Sequence, residues 1–173
     1  MRKSLTVVSG GVAVAAILAL GVAVAGLAST SSSSGIGQST SETTTTEGPK
    51  TTKHRAALTA AAEVPRPKGV KAGAGGTFKV DLTDSSGSYS IAWTLTYKNL
   101  TGRAAAAHIH RGKPGKAGPV VVSLCAPCRS GGKGKAKVSK TVANLMKGGS
   151  AYVNVHTAKN AAGEIRGQIK KAS

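Results

Sequence analysis

The sequence predicts an all-β fold: a single antiparallel β-sandwich, Greek-key-like, with one short helix, preceded by an apolar N-terminal helix and a disordered linker. Three observations carry this expectation. Short runs of alternating apolar and polar residues recur through the C-terminal two-thirds of the 173-residue chain. Gly, Pro, Asn and Ser separate them, the pattern of a sandwich or barrel. The first 53 residues differ sharply in composition, so they belong to another kind of segment.

The N-terminus reads as residues 1–28, a signal peptide or a membrane anchor. Arg2 and Lys3 precede an uncharged apolar stretch, residues 5–27, and Ala23-Val24-Ala25 has the form of a cleavage site. The stretch is also long enough to span a bilayer, which takes about 20 residues. Cleavage gives a secreted protein and retention a tethered one; in both cases the body is expected outside the cytoplasm. Residues 29–53 are dominated at first by Ser, Thr and Gly and cannot bury enough apolar surface to offset their ordering entropy, so they read as a flexible linker. Residues 54–173 are of a size suited to one domain with one core.

Within that domain residues 57–62 form the first candidate strand. Phe78, Val80 and Leu82 alternate with Thr77, Lys79 and Asp81, and residues 84–88 have turn composition. Tyr89, Ile91, Trp93, Leu95 and Tyr97 then share one strand face, with Trp93 at its centre. Residues 104–110 follow, with Ile109 opposite the histidines. Residues 120–124 are continuously apolar, which predicts a strand buried on both faces or nearly so. Residues 141–147 read as one or two helical turns closed by Gly148 and Gly149. Residues 152–156 and 164–169 pair as a hairpin, with Ile165 and Ile169 facing the core and Glu164, Arg166 and Gln168 facing away. The expected core is Phe78, Ile91, Trp93, Leu95, Val121, Val153, Val155 and Ile165.

Three histidines concentrate the candidate chemistry. Strand side chains alternate faces, so His108 and His110 project together with Cα atoms about 6.6 Å apart. In the later strand Tyr152, Asn154 and His156 share a face opposite Val153 and Val155. If the two faces meet, His108, His110 and His156 can chelate one ion; if not, they are ordinary hydrogen-bonded histidines. Imidazole ligands in an oxidising compartment favour Cu(II) or Zn(II), although nothing in the sequence requires a cofactor. Glu63, Glu164 and Asn154 are candidates for a further ligand or a supporting partner. His54 reads as solvent-exposed. Cys125 and Cys128 lie three residues apart in an exported chain and read first as a disulfide; reduced or metal-linked thiols and a redox pair are the alternatives.

The order of these blocks resembles the chordin-type domain called CHRD. Ala107-His108-Ile109-His110, Gly118-Pro119-Val120-Val121-Val122, Ala151-Tyr152-Val153-Asn154-Val155-His156-Thr157 and Gly163-Glu164-Ile165-Arg166-Gly167-Gln168-Ile169 carry the resemblance, with Glu63-Val64-Pro65 similar to the end of that family's first strand. It covers the chain from about Ala56 to Ile169 and implies an all-β extracytoplasmic domain without an assigned activity. The His-x-His strand is also loosely similar to the copper strand of copper/zinc superoxide dismutases.

Charge limits the partners. The chain carries 24 Lys and Arg against 6 Asp and Glu, a net charge of +18. Anionic cell-envelope polymers or lipid headgroups are therefore the expected partners. Nucleic acid is unlikely, because 3% aromatic residues give too few stacking platforms. Lys133, Lys135, Lys137 and Lys140 form the densest basic cluster, read either as an anion-binding site or as edge protection. No catalytic residues are assigned: serines lack a nucleophile elbow, acids are scarce, and Gly73-x-Gly75-Gly76 lacks a following helix. The sequence thus favours a basic CHRD-like binding module over an enzyme, with a copper- or zinc-binding protein, dismutase-like chemistry included, as the alternative.

Overall fold

Alternation in sequence becomes alternation in space throughout the domain. The computed structural model describes residues 48–173, so the segment expected as signal or anchor, and the linker up to residue 47, lie outside the described residues. Strand β1 (Lys50–Thr59) is followed by a 3-10 turn (Ala60–Ala62), β2 (Gly75–Ser85), β3 (Ser88–Lys98), β4 (Ala104–Arg111), β5 (Val120–Cys125) and β6 (Gly132–Val138). Helix α1 (Lys140–Lys147), β7 (Ala151–Thr157), β8 (Ile165–Gln168) and β9 (Lys170–Lys171) complete the chain. Among the described residues no helix is long and apolar enough to cross a membrane.

All strand pairs are antiparallel, and the main sheet runs β5-β4-β7-β8-β1-β2-β3-β6, with β9 beside β1. Two four-stranded halves meet at a narrow junction, where β1 and β8 pair at Thr59 and Arg166. Their inner faces share one core: Leu58, Phe78, Leu82, Ile91 and Leu95 from one half, Ile109, Val153, Val155 and Ile165 from the other. Burying each such side chain contributes about 1.5–3 kcal/mol. The all-β antiparallel sandwich with a short helix is therefore what the chain forms.

Strand β6 shows how sequence dictates face. Gly132, Gly134 and Ala136 turn inward while Lys133, Lys135 and Lys137 point out. Gly134 is opposite Trp93, and a Cβ there would lie within 2.5 Å of the indole ring. Trp93 in turn packs against Phe78, with ring centroids 6.4 Å apart. Helix α1 starts at Ser139, whose hydroxyl accepts from the Val142 amide at 3.2 Å, and it lays Val142, Ala143 and Met146 on the core.

Three expectations need correction. β5 is not a doubly buried strand: it ends the sheet with β4 as its one partner, and Val120 is 48% exposed. A continuous apolar run does not distinguish a central strand from an edge strand packed on one side. Val121 accordingly packs only partly buried against the core. His54 is buried rather than solvent-exposed, because β1 starts at Lys50 and carries His54 on its inner face. Glu164 and Arg166 lie on the side away from the core, as the alternation predicts, and loops cover them there.

Candidate metal centre

The register of β4 against β7 builds the site. His108 lies opposite Asn154, Ala106 opposite His156, and His110 opposite Tyr152. His156 is thus diagonal to His108, with only the small Ala106 directly across from it. All these side chains occupy the outer face of their sheet half. One ligand nitrogen from each of His108, His110 and His156 falls within 4.8 Å of the others. The ring centroids are 4.9 Å apart for His108 and His156, 5.8 Å for His108 and His110, and 6.2 Å for His110 and His156.

Backbone carbonyls orient two of the rings. His110 Nδ1 donates to the Gly118 carbonyl at 2.8 Å, and His156 Nδ1 to the Ala161 carbonyl at 2.9 Å. A carbonyl can only accept, so in the neutral rings both Nε2 atoms keep a lone pair. His156 Nε2 uses its lone pair on His108 Nδ1, 3.1 Å away. His110 Nε2 is buried and has no partner. An unpaired buried acceptor costs about 1–3 kcal/mol, a cost that a coordinated cation would remove. Anchoring of the distal ring N–H is also the usual way a protein fixes the tautomer of a metal-binding histidine.

Burial favours the metal-competent neutral form of two of the ligands, His108 and His110. Burial pushes the His108 imidazole below its ordinary value of 6.5, and the neighbouring His156 and His110 push it the same way. Burial likewise lowers His110, outweighing its bond to the Gly118 carbonyl. Tetrahedral zinc with 2.0–2.1 Å bonds places its ligand atoms about 3.3–3.4 Å from one another. The three nitrogens would therefore draw together by about 1–1.5 Å at most.

A buried polar layer surrounds the histidines. The Tyr152 ring stacks on His110 at 4.9 Å with a 9° interplanar angle, and the Arg166 guanidinium lies 3.3 Å from the Tyr152 ring centre. Arg166 Nη2 donates to the carbonyls of Lys113 (3.1 Å) and Lys116 (2.8 Å), and Gln168 Nε2 to that of Gly112 (2.8 Å). The 112–118 loop is thereby fixed above the sheet, and with it the Gly118 carbonyl that orients His110. Glu63 closes the other side. Its Oε1 accepts from the Val64 amide at 3.0 Å, its Oε2 has no partner, and burial raises the carboxyl above its usual range. Gly163, at φ 133°, makes room: a Cβ there would collide with the Glu63 carboxylate and come within 2.8 Å of Asn154 Nδ2.

Of the candidate supporting residues, Asn154 and Glu63 join this layer and Glu164 does not. The Glu164 carboxylate accepts from the Thr101 amide (2.7 Å), the Thr157 hydroxyl (2.6 Å) and Asn160 Nδ2 (3.2 Å), so it serves as an anchor for the loops. Arg166 and Gly118 were not among the sequence candidates. An arginine on a polar strand face carries no signal that a loop will cover it.

The CHRD domain family model matches residues 54–169. The chain belongs to the CHRD domain family. Neither a curated protein nor a solved structure matches it. The matched segment of this CHRD domain holds all three clustered histidines, together with Glu63, Tyr152 and Arg166.

The remaining candidates lie elsewhere on the CHRD domain. Cys125 and Cys128 form a disulfide with an S–S distance of 2.08 Å where the chain leaves β5 towards β6. The Cys128 amide donates to the Ala104 carbonyl, and its carbonyl accepts from the Tyr97 hydroxyl at 2.9 Å, which ties β4 to β3 across the two sheet halves. The next element after Cys128 is strand β6 and not a helix, so the motif lacks the thioredoxin setting. Lys133, Lys135 and Lys137 project from β6, whereas Lys140 is the first residue of α1 and stands apart from them.

Proposed function

We propose that this CHRD domain is an extracytoplasmic binding module, secreted or tethered by its N-terminal segment, whose specific ligand is one Cu(II) or Zn(II) ion held by His108, His110 and His156. CHRD domains are typically extracellular, which supports the location. One observation carries the metal reading: three imidazole nitrogens converge within 4.8 Å, and the buried one on His110 has no other partner. The set is all nitrogen, which suits borderline metals and not calcium or magnesium. Glu63 and Asn154 would support the site, and the Tyr152–Arg166 stack would keep water from its inner side.

Tag-free protein titrated with Cu(II) and Zn(II), and checked by elemental analysis after dialysis, tests this reading. Stoichiometric uptake of one ion is expected, with loss of that uptake in the His108→Ala/His110→Ala/His156→Ala variant. Uptake that is absent in the parent, or equal in the variant, overturns it.

A further inference from the structure

The outer face of the other sheet half, β1-β2-β3-β6, carries a basic groove that contains none of the clustered histidines. Strand pairing sets its side chains in rows across the strands. One row reads Lys53, Asp81, Ala92, Lys135; the next reads Arg55, Lys79, Thr94, Lys133. Small residues of β3 therefore form a floor, and long cations from β1, β2 and β6 rise on either side. A cleft of about 650 Å³ lies over this floor, and a second of about 410 Å³ adjoins it along Ala92 and Lys135. Asp81 is the one acid in these rows. Among the described residues the one ion pair is Lys147 with Asp84, at 3.8 Å, so no described acid, Asp81 included, forms an ion pair with a cation of the groove.

The geometry points to a linear, base-free phosphate polymer as the ligand of this groove. Charge complementarity requires an anion, and the length of the cleft along β3 requires an extended one. Of the six cations that line the two clefts, Lys53, Lys79, Lys133 and Lys135 of the larger and Lys137 of the smaller are lysines, and only Arg55 is an arginine. Lysine binds phosphate as a point charge, whereas planar carboxylates are better matched by arginine's fork. Trp93 is buried beneath the floor, so the groove offers no ring on which a base can stack. The described large hydrophobic that is exposed, Val120, belongs to β5 in the other half, which leaves this face nothing to insert into a bilayer.

Inorganic polyphosphate is the probe, with polygalacturonate, single-stranded DNA and anionic phosphatidylglycerol vesicles as competitors in the same buffer. Polyphosphate is expected to bind most tightly. The Lys133→Gln/Lys135→Gln/Lys137→Gln variant should bind at least about tenfold more weakly, with a log–log salt slope shallower by about 2 for three lost contacts. Thr94→Glu, which puts an acid on the floor, should weaken binding without touching a lysine. The His108/His110/His156 triple alanine variant should bind unchanged. Lys113→Gln/Lys116→Gln/Lys159→Gln removes equal charge elsewhere and should change affinity less than about twofold; a loss equal to that of the β6 variant would show unspecific charge and overturn the site. Preference for any of the three competitors over polyphosphate would overturn it as well.

Discussion

His108 Nδ1 and His156 Nε2 stand 3.1 Å apart on neighbouring strands, and His156 has already given its own N–H to the Ala161 carbonyl. A single proton on His108 Nδ1 therefore serves both rings, and a second proton on His156 Nε2 would remove the acceptor and break the arrangement.

Acid sensitivity follows. The folded-state values of His54, His108 and His110 all lie below 6.5, each primarily through burial. Below about pH 6.5 the unfolded chain binds more protons than the folded one, so folding stability falls with pH until the folded histidines also titrate. The metal-free domain should therefore show a lower urea midpoint at pH 5 than at pH 8, and metal affinity should fall over the same interval, since protons compete for the same nitrogens. Replacing His108 and His110 with Gln should flatten much of the stability profile. A parent midpoint that does not move between pH 8 and 5 would contradict the burial of these rings.

The contact between Trp93 and Gly134 gives a second expectation. Trp93→Ala should cost about 3–5 kcal/mol. Gly134→Ala adds a methyl against the indole and should cost about 1–3 kcal/mol, through overpacking and not through a cavity. Thermal melts of both variants check this, and an unshifted Trp93→Ala melt would mean the core lies elsewhere.

Glu164 supplies a third. Burial alone would raise its carboxyl, but the hydrogen bonds from Thr101, Thr157 and Asn160 outweigh it and hold the group below 4.5. The stabilisation is present above that value and is lost as pH falls through the folded one. Glu164→Gln should thus cost about 1–3 kcal/mol at pH 7, where one of its new atoms is a donor facing donors. The gap between parent and variant should narrow at pH 3.5; denaturation curves at the two pH values that kept the same gap would show that charge is not what matters at this position.

Much of this was legible in the chain. Alternation placed Ile91, Trp93 and Leu95 on one face and Tyr152, Asn154 and His156 on another, because strand geometry leaves no freedom in that choice. Alternation does not say what covers a face. His54 was therefore misjudged, because its burial depends on where β1 begins, and the cover over Arg166 stayed hidden, because it comes from a loop some fifty residues earlier in sequence. Sheet order was equally hidden. Val120 lies in an apolar run typical of a sheet centre, yet β5 is an edge, and that is settled by pairing partners and not by local composition. The meeting of His108 with His156 depended on β4 and β7 being adjacent, which no spacing within either strand encodes.

The loop above the candidate metal centre is gripped by its backbone. Arg166 and Gln168 read the carbonyls of Gly112, Lys113 and Lys116 and ignore the side chains, and His110 reads the carbonyl of Gly118. Natural variation there should therefore be free in letter and strict in length. Lys113, Pro114 and Lys116 can be exchanged at little expense, whereas one inserted or deleted residue shifts every carbonyl along its track and turns the His110 ring loose.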